Sequence, residues 1–185
     1  MILTGGPIVG GIEYNFETPT FYIICEKFEP ISEANYKEGG KLVTYDFKRD
    51  LPEFKTTNYI RAVMLQQFRK EEGAIEILFT KDGEVFECST SNIFLIKDGK
   101  IITPAEEILK GITRKAVLEI AGESYEVEER RVYASEIATA DEIFITSSFK
   151  DIVPIVKVDD RVVGDSRPGI VTMDLFDKYK KIIGV

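Results

Sequence analysis

The tripeptide Lys-Asp-Gly occurs twice, at 81–83 and 97–99. Each copy lies between short apolar runs, AIEILFT and EVFECST around the first, NIFLI and KIITP around the second. Asp-Gly between apolar runs is a strong short-range hairpin signal, so both stretches are predicted as antiparallel strand pairs. The echo is shared turn chemistry and not a repeat fold. It commits the middle of the chain to neighbouring hairpin strands. With helices between further strands, the order favours an α+β, mixed α/β arrangement over a doubly wound parallel sheet.

The flanking segments follow from periodicity and punctuation. KLVTYDF reads as a strand. A helix is predicted from the capping residues Thr56, Thr57 and Asn58 to about Glu72, before Gly73, with Tyr59, Ile60, Val63, Met64 and Phe68 as its buried face. GITRKAVLEIAG is an amphipathic helix from Gly111 to Gly122. SYEVEERRV is a strand and YASEIATA a short helix. DEIFITSS is a strand, DIVPIVKVDDRVVG a pair of strands, and PGIVTMDLFDKYKKI a closing helix with Pro168 near its start. At the front, MILTGG and TFYIICEKF read as strands, and PISEANYKEGG as a linker with a short helical piece.

At 185 residues, 44% hydrophobic and 30% charged, the chain has the composition of a soluble globular domain. No apolar run approaches membrane-spanning length and no signal-like start is visible, so a cytoplasmic location and no membrane partner are expected. A net charge of −8 without a basic stripe argues against nucleic acid. Cys25 and Cys88 are expected to be buried free thiols. There is no histidine, which excludes Ser-His-Asp and Cys-His nucleophile systems and His-ligated zinc; no metal is expected. Any acid–base chemistry falls to Lys, Glu, Asp, Tyr, Cys or a cofactor.

Four features could carry chemistry. Lys55 precedes a helix start, where the dipole disfavours a cation; it is either an exposed loop charge or an amine kept reactive. Strict alternation in EVFECST pairs Val85 with Glu87 on one face and Phe86 with Cys88 on the other. Glu87 is then either an edge-strand carboxylate in solvent or a buried one that needs a partner. Gly111, Ile112 and Thr113 open a helix with free N–H groups suited to a phosphate, although Thr113 also reads as a plain cap. Thr146, Ser147 and Ser148 end an apolar strand with hydroxyls. A lysine, a carboxylate, a helix N-terminus and strand-end hydroxyls together suit pyridoxal 5′-phosphate.

KTTNYI, GEVFECSTSNIFLIKDGKIITP, LKGITR, ADEIFITSS and VVGDSRPGIVT occur in one order along most of the chain. In these motifs it resembles the fold-type-IV pyridoxal-phosphate enzymes, the class IV aminotransferases. That family includes branched-chain aminotransferase, D-amino-acid aminotransferase and aminodeoxychorismate lyase. The resemblance implies the large domain of that fold over 41–185, a linker at 31–40 and remnant strands of a mostly absent N-terminal domain at 1–30. It implies Lys55 as the Schiff-base lysine, Glu87 at the pyridine nitrogen and Tyr59 at the phenolic oxygen. Gly111, Ile112, Thr113, Ser147 and Ser148 would hold the phosphate. The implied activity is amino-group transfer between an amino acid, a branched-chain one among the candidates, and a 2-oxo acid, in a homodimer. A lyase releasing pyruvate, or a catalytically incomplete domain, are the alternatives left open.

Overall fold

The computed structural model describes residues 1–11, 13–15 and 17–184. In chain order these form β1 (Ile2–Thr4), β2 (Ile8–Gly10), β3 (Glu13–Tyr14), β4 (Thr20–Tyr22), α1 (Ala34–Lys37), β5 (Gly40–Asp46), α2 (Ile60–Met64) and α3 (Gln66–Glu71). The two hairpins follow as β6 (Glu76–Lys81) with β7 (Glu84–Cys88) and β8 (Asn92–Lys97) with β9 (Lys100–Thr103). The remainder is α4 (Ile112–Gly122), β10 (Glu126–Glu129), β11 (Val132–Tyr133), α5 (Ala134–Ile137), β12 (Glu142–Ser147), β13 (Asp151–Val158), β14 (Arg161–Val162) and α6 (Ile170–Ile183).

One ten-stranded mixed sheet dominates, in the order β10-β9-β8-β12-β13-β5-β6-β7-β11, with β14 beside β13. The mixed α/β class expected from the sequence is the class observed. β1 pairs with β4 and β2 with β3 in separate two-stranded sheets. Both Asp-Gly turns have positive φ at the two central residues, 51° and 78° in each, as primed hairpin turns require.

The large sheet curls. SYEVEERRV is not one strand: β10 lies at one end of the strand order and β11 at the other. Only Arg130 and Arg131 separate them, and a chain advances at most about 3.6 Å per residue. The two edges must therefore approach each other. The Arg130 N–H donates to Thr103 O (3.1 Å) and the Ala134 N–H to Gly83 O (2.9 Å), so this short segment bonds to both sides of the closure.

Curling gives the sheet an inner and an outer face, both covered. Ile93, Leu95, Ile143, Ile145, Val153 and Ile155 pack inside. Phe94, Ile96, Phe144 and Ile152 alternate with them and pack outward against Val117 and Ile120 of α4 and Leu175 and Tyr179 of α6. This is why NIFLI and EIFIT are continuous apolar runs and not alternating ones. Phe94 and Phe144 are register partners on β8 and β12, fully buried and stacked at 4.7 Å between centroids. Phe144→Ala should lower unfolding free energy by about 3–5 kcal/mol in urea denaturation, with an unchanged slope; a loss under ~1 kcal/mol would show that α4 and α6 close the gap.

Four expectations fail here. The helix predicted from Thr56 begins only at Ile60 and is broken at Leu65, whose φ of −88° and ψ of 2° separate α2 from α3. Its assigned inner face is turned outward, with Ile60, Val63 and Met64 each over 60% exposed, while Leu65 is buried and Phe68 half-buried. TFYIICEKF is strand only at Thr20–Tyr22, because β1 offers a three-residue partner and nothing further pairs with 23–28 among the described residues. Cys25 is consequently exposed; Cys88 is buried, as expected.

Candidate active site

A cleft of about 540 Å³ opens where the loop before α2, the end of β7, the start of α4 and the end of β12 converge. Lys55, Tyr59 and Glu87 line it, as do Gly111, Ile112 and Thr113 of the helix start and Ser147 and Ser148 of the strand end. Every position singled out in the sequence is thus brought to one cavity.

Glu87 is 5% exposed. Strict alternation does not put it there. The β6–β7 register runs Leu78↔Cys88 and Thr80↔Val85, so Phe79 faces both Phe86 and Glu87 across a bulge. The extra residue lets Val85 and Cys88 share the inner core, against the expectation that they lie on opposite faces. It also frees Glu87 to turn into the cleft, a common use of bulges beside functional sites. Its Oε1 accepts from Arg49 Nε at 2.7 Å and its Oε2 from the Leu109 N–H at 2.9 Å. Burial pushes the Glu87 carboxyl above the usual glutamate range and outweighs the Leu109 N–H and the Arg49 guanidinium, which favour the anion.

The opposite end of the cleft is built for an anion. Gly111 is the extended N-cap of α4 (φ −63°, ψ 149°) with no side-chain cap, so the first-turn N–H groups face the cleft without a side-chain acceptor. A Cβ at Gly111 would stand 2.6 Å from Asn92 Oδ1, which accepts the Gly111 N–H at 3.3 Å. Asn92 Nδ2 also donates to Leu109 O at 2.7 Å. In the same cleft, Thr146 Oγ1 and Ser147 Oγ are buried with no hydrogen-bond partner among the described residues. Buried hydroxyls are ordinarily satisfied, so two orphans beside an uncapped helix start imply a missing acceptor. A phosphate has the charge and the oxygens to meet both.

Lys55 lies on the open side. Its loop is a run of tight turns, with Thr56 N–H to Phe54 O and Tyr59 N–H to Thr57 O both at 3.0 Å. Lys55 Nζ donates to the Tyr59 hydroxyl at 3.2 Å. The helix start is five residues away at Ile60, not adjacent as expected. Arg49, which pairs with Glu87, also donates through Nη2 to Pro52 O and so ties the lysine loop to the carboxylate.

Two residues of this arrangement were not legible in the sequence. Arg49 stands in FKRD, which reads as a solvated charge run, yet its side chain is 13% exposed. Asn92 stands among the hydroxyls of STSN and carries no signal of its own, yet it joins the Leu109 carbonyl to the Gly111 amide. Among the described residues, no group of three His, Cys, Asp or Glu could hold a metal ion, and no helix is long and apolar enough to cross a membrane.

Residues 2–158 match the family model described as amino-transferase class IV. The chain is 35% identical over 178 residues to branched-chain-amino-acid aminotransferase-like protein 1 of Arabidopsis thaliana, covering 91% of this chain and 32% of that protein. It is 34% identical over 147 residues to the D-alanine aminotransferase of Bacillus licheniformis, covering 77% and 52%. The branched-chain amino acid aminotransferase of Thermoproteus uzoniensis, solved with norvaline, superposes with a TM-score of 0.75 at 26% identity, over 84% of this chain and 54% of that one. A further branched-chain amino acid aminotransferase, solved with pyridoxamine 5′-phosphate, superposes with a TM-score of 0.78 at 28% identity, over 86% and 55%. The chain therefore spans about a third to a half of the length of these proteins.

Proposed function

Because the chain belongs to the class IV aminotransferases, we propose that it carries the cofactor-binding part of a pyridoxal-phosphate-dependent aminotransferase. The reaction moves an amino group between an amino acid and a 2-oxo acid. Branched-chain amino acids are the favoured donors, since relatives of both kinds of comparison bear that name. The observation that carries the reading is the meeting, in one cleft, of Lys55, the buried Glu87, an uncapped helix start and two hydroxyls that have no partner among the described residues.

Pyridoxal 5′-phosphate, when bound, supplies an electron sink that weakens the bonds at an amino acid's Cα. The Ile112 and Thr113 N–H groups and the hydroxyls of Thr146, Ser147 and Ser148 would hold its phosphate. Glu87 would hold the proton on the ring nitrogen, with Arg49 and Leu109 fixing the carboxylate's orientation. Lys55 Nζ would anchor the cofactor and, once released, take the Cα proton from the substrate and return it elsewhere. The Tyr59 hydroxyl orients that amine. No histidine is needed.

On this reading residues 1–30 are the last strands of a smaller domain, 31–40 a linker and 41–185 the cofactor-binding domain. A cytoplasmic setting also belongs to it, supported by the exposed, unbridged Cys25 thiol. So does a homodimer, supported by the exposed apolar side chains of Leu51, Phe54, Ile60, Val63 and Met64 in the segment that carries Lys55. Light scattering at micromolar concentration is expected to give twice the chain mass; a monomer would remove the dimer from the proposal. The cofactor reading is tested by titrating pyridoxal 5′-phosphate into the purified chain. A saturable visible band that an amino-acid donor bleaches is expected, and no saturable band would sink the reading.

A further inference from the structure

One buried carboxylate has no part in the chemistry above. Glu76, the first residue of β6, is 2% exposed and lies behind the cleft wall. Its Oε2 accepts from Ser89 Oγ at 3.2 Å and from the Thr90 N–H at 3.0 Å. Its Oε1 accepts from Thr90 Oγ1 at 2.6 Å and Ser91 Oγ at 2.7 Å, and forms an ion pair with Lys150. Lys150 Nζ also donates to Thr90 Oγ1 at 2.8 Å.

Lys150 belongs to the turn joining β12 to β13. Its N–H closes that turn onto Ser147 O at 3.3 Å, and its carbonyl accepts from the Tyr36 hydroxyl at 3.1 Å. A single carboxylate therefore binds two separate segments, 89–91 and the 147–150 turn. Both of them line the cleft, and the second carries the orphaned Ser147 hydroxyl. A charge this deeply buried persists only when paired and fully hydrogen-bonded, and Glu76 has a donor at each oxygen several times over. Although burial pushes it up, Lys150 and the hydroxyls prevail and hold the Glu76 carboxyl below the usual range, so it stays ionised. Packing alone would be served equally well by apolar residues; what an ion pair adds is a fixed spacing between the elements it joins.

We propose that Glu76 and Lys150 are positioning residues: their ion pair holds the Ser147–Ser148 turn against the 89–91 loop, and so sets the grip of the cleft on a phosphate that neither residue touches. The inference rests on the cofactor reading given above.

The test compares pyridoxal 5′-phosphate with pyridoxal, which lacks the phosphate, in the wild-type chain, Lys150→Met and Lys150→Arg. Affinity is read from the Lys55-dependent absorption change. In Lys150→Met the affinity for pyridoxal 5′-phosphate should fall about tenfold or more while that for pyridoxal stays within about twofold, as expected for weakened hydrogen bonds to a charged group. Lys150→Arg keeps the charge and should retain the preference. If Lys150→Met fails to fold, Glu76→Gln/Lys150→Met leaves no orphan charge and should show the same selective loss. An unchanged preference for the phosphorylated form in a folded charge-free variant overturns the inference alone. Equal losses in Lys150→Met and Lys150→Arg also overturn it, since bulk and not charge would then matter. A wild type that binds neither compound overturns the cofactor reading and the inference with it.

Discussion

Lys55→Ala is expected to abolish the visible band that the wild-type chain develops with pyridoxal 5′-phosphate, and to lower the rate of amino-donor conversion by at least about a hundredfold, the lower end for loss of a proton-transfer group. The expected effect is large because the proposed function lays two tasks on one atom: the Nζ that would anchor the cofactor would also be the base for the Cα proton. The cleft provides a control within itself. Lys110 also lines it, at the approach to α4. Lys110→Ala should leave the band intact, because the Lys110 backbone leads into the anion end and the Lys55 amine stands on the open side beside Tyr59. A band that survives Lys55→Ala and disappears in Lys110→Ala would transfer the anchoring role to Lys110.

Glu87→Gln is expected to slow the same half-reaction by about a hundredfold or more, the usual consequence of removing a preorganised electrostatic partner. Gln can still accept the Leu109 N–H, so the fold around the bulge should hold; what is lost is the ionised partner of Arg49 and, on the proposed function, the negative charge that would face the ring nitrogen. The variant should also change how stability depends on pH. In the cofactor-free chain Glu87 holds its proton more tightly than an ordinary glutamate, chiefly through burial. The folded state thus binds more protons than the unfolded one. This group's contribution is fully present at low pH and is lost as pH rises from the ordinary glutamate range through its higher folded value. Thermal midpoints of Glu87→Gln relative to wild type should therefore improve from about pH 4 to neutrality. A constant difference across that range would mean that Arg49 and Leu109 cancel the burial effect. Equal half-reaction rates in the two proteins would remove Glu87 from the mechanism.

Much of the architecture was legible because its signals are local. Asp82-Gly83 and Asp98-Gly99 impose positive φ on turns whatever surrounds them, and both hairpins formed where expected. Gly111–Gly122 and Pro168-Gly169 bound α4 and α6 by the same kind of short-range rule. The candidate site was legible for a different reason: KTTNYI, EVFECSTSN and LKGITR are contiguous stretches, and each delivers its residue to the cleft from its own loop or strand end. The segment after Lys55 was misread because its apolar residues have helical spacing without a core to face. Ile60, Val63 and Met64 point outward, and α3 is held by Phe68 edge-on to Tyr45.

By itself, then, the sequence determined the two hairpins, the helices α4 and α6, and which residue types reach the cleft. Tertiary structure alone decided how these pieces meet. The curl of the sheet depends on β10 and β11 finding opposite edges, which no periodicity within SYEVEERRV encodes. The bulge that aims Glu87 depends on β6 accepting Val85 and Cys88 into one core. Arg49 reaches Glu87 across 38 residues of sequence, and Lys150 reaches Glu76 across 74. Turn and helix signals act over a few neighbouring residues. Pairing of buried charges and closure of a sheet are settled only when distant segments exclude water together.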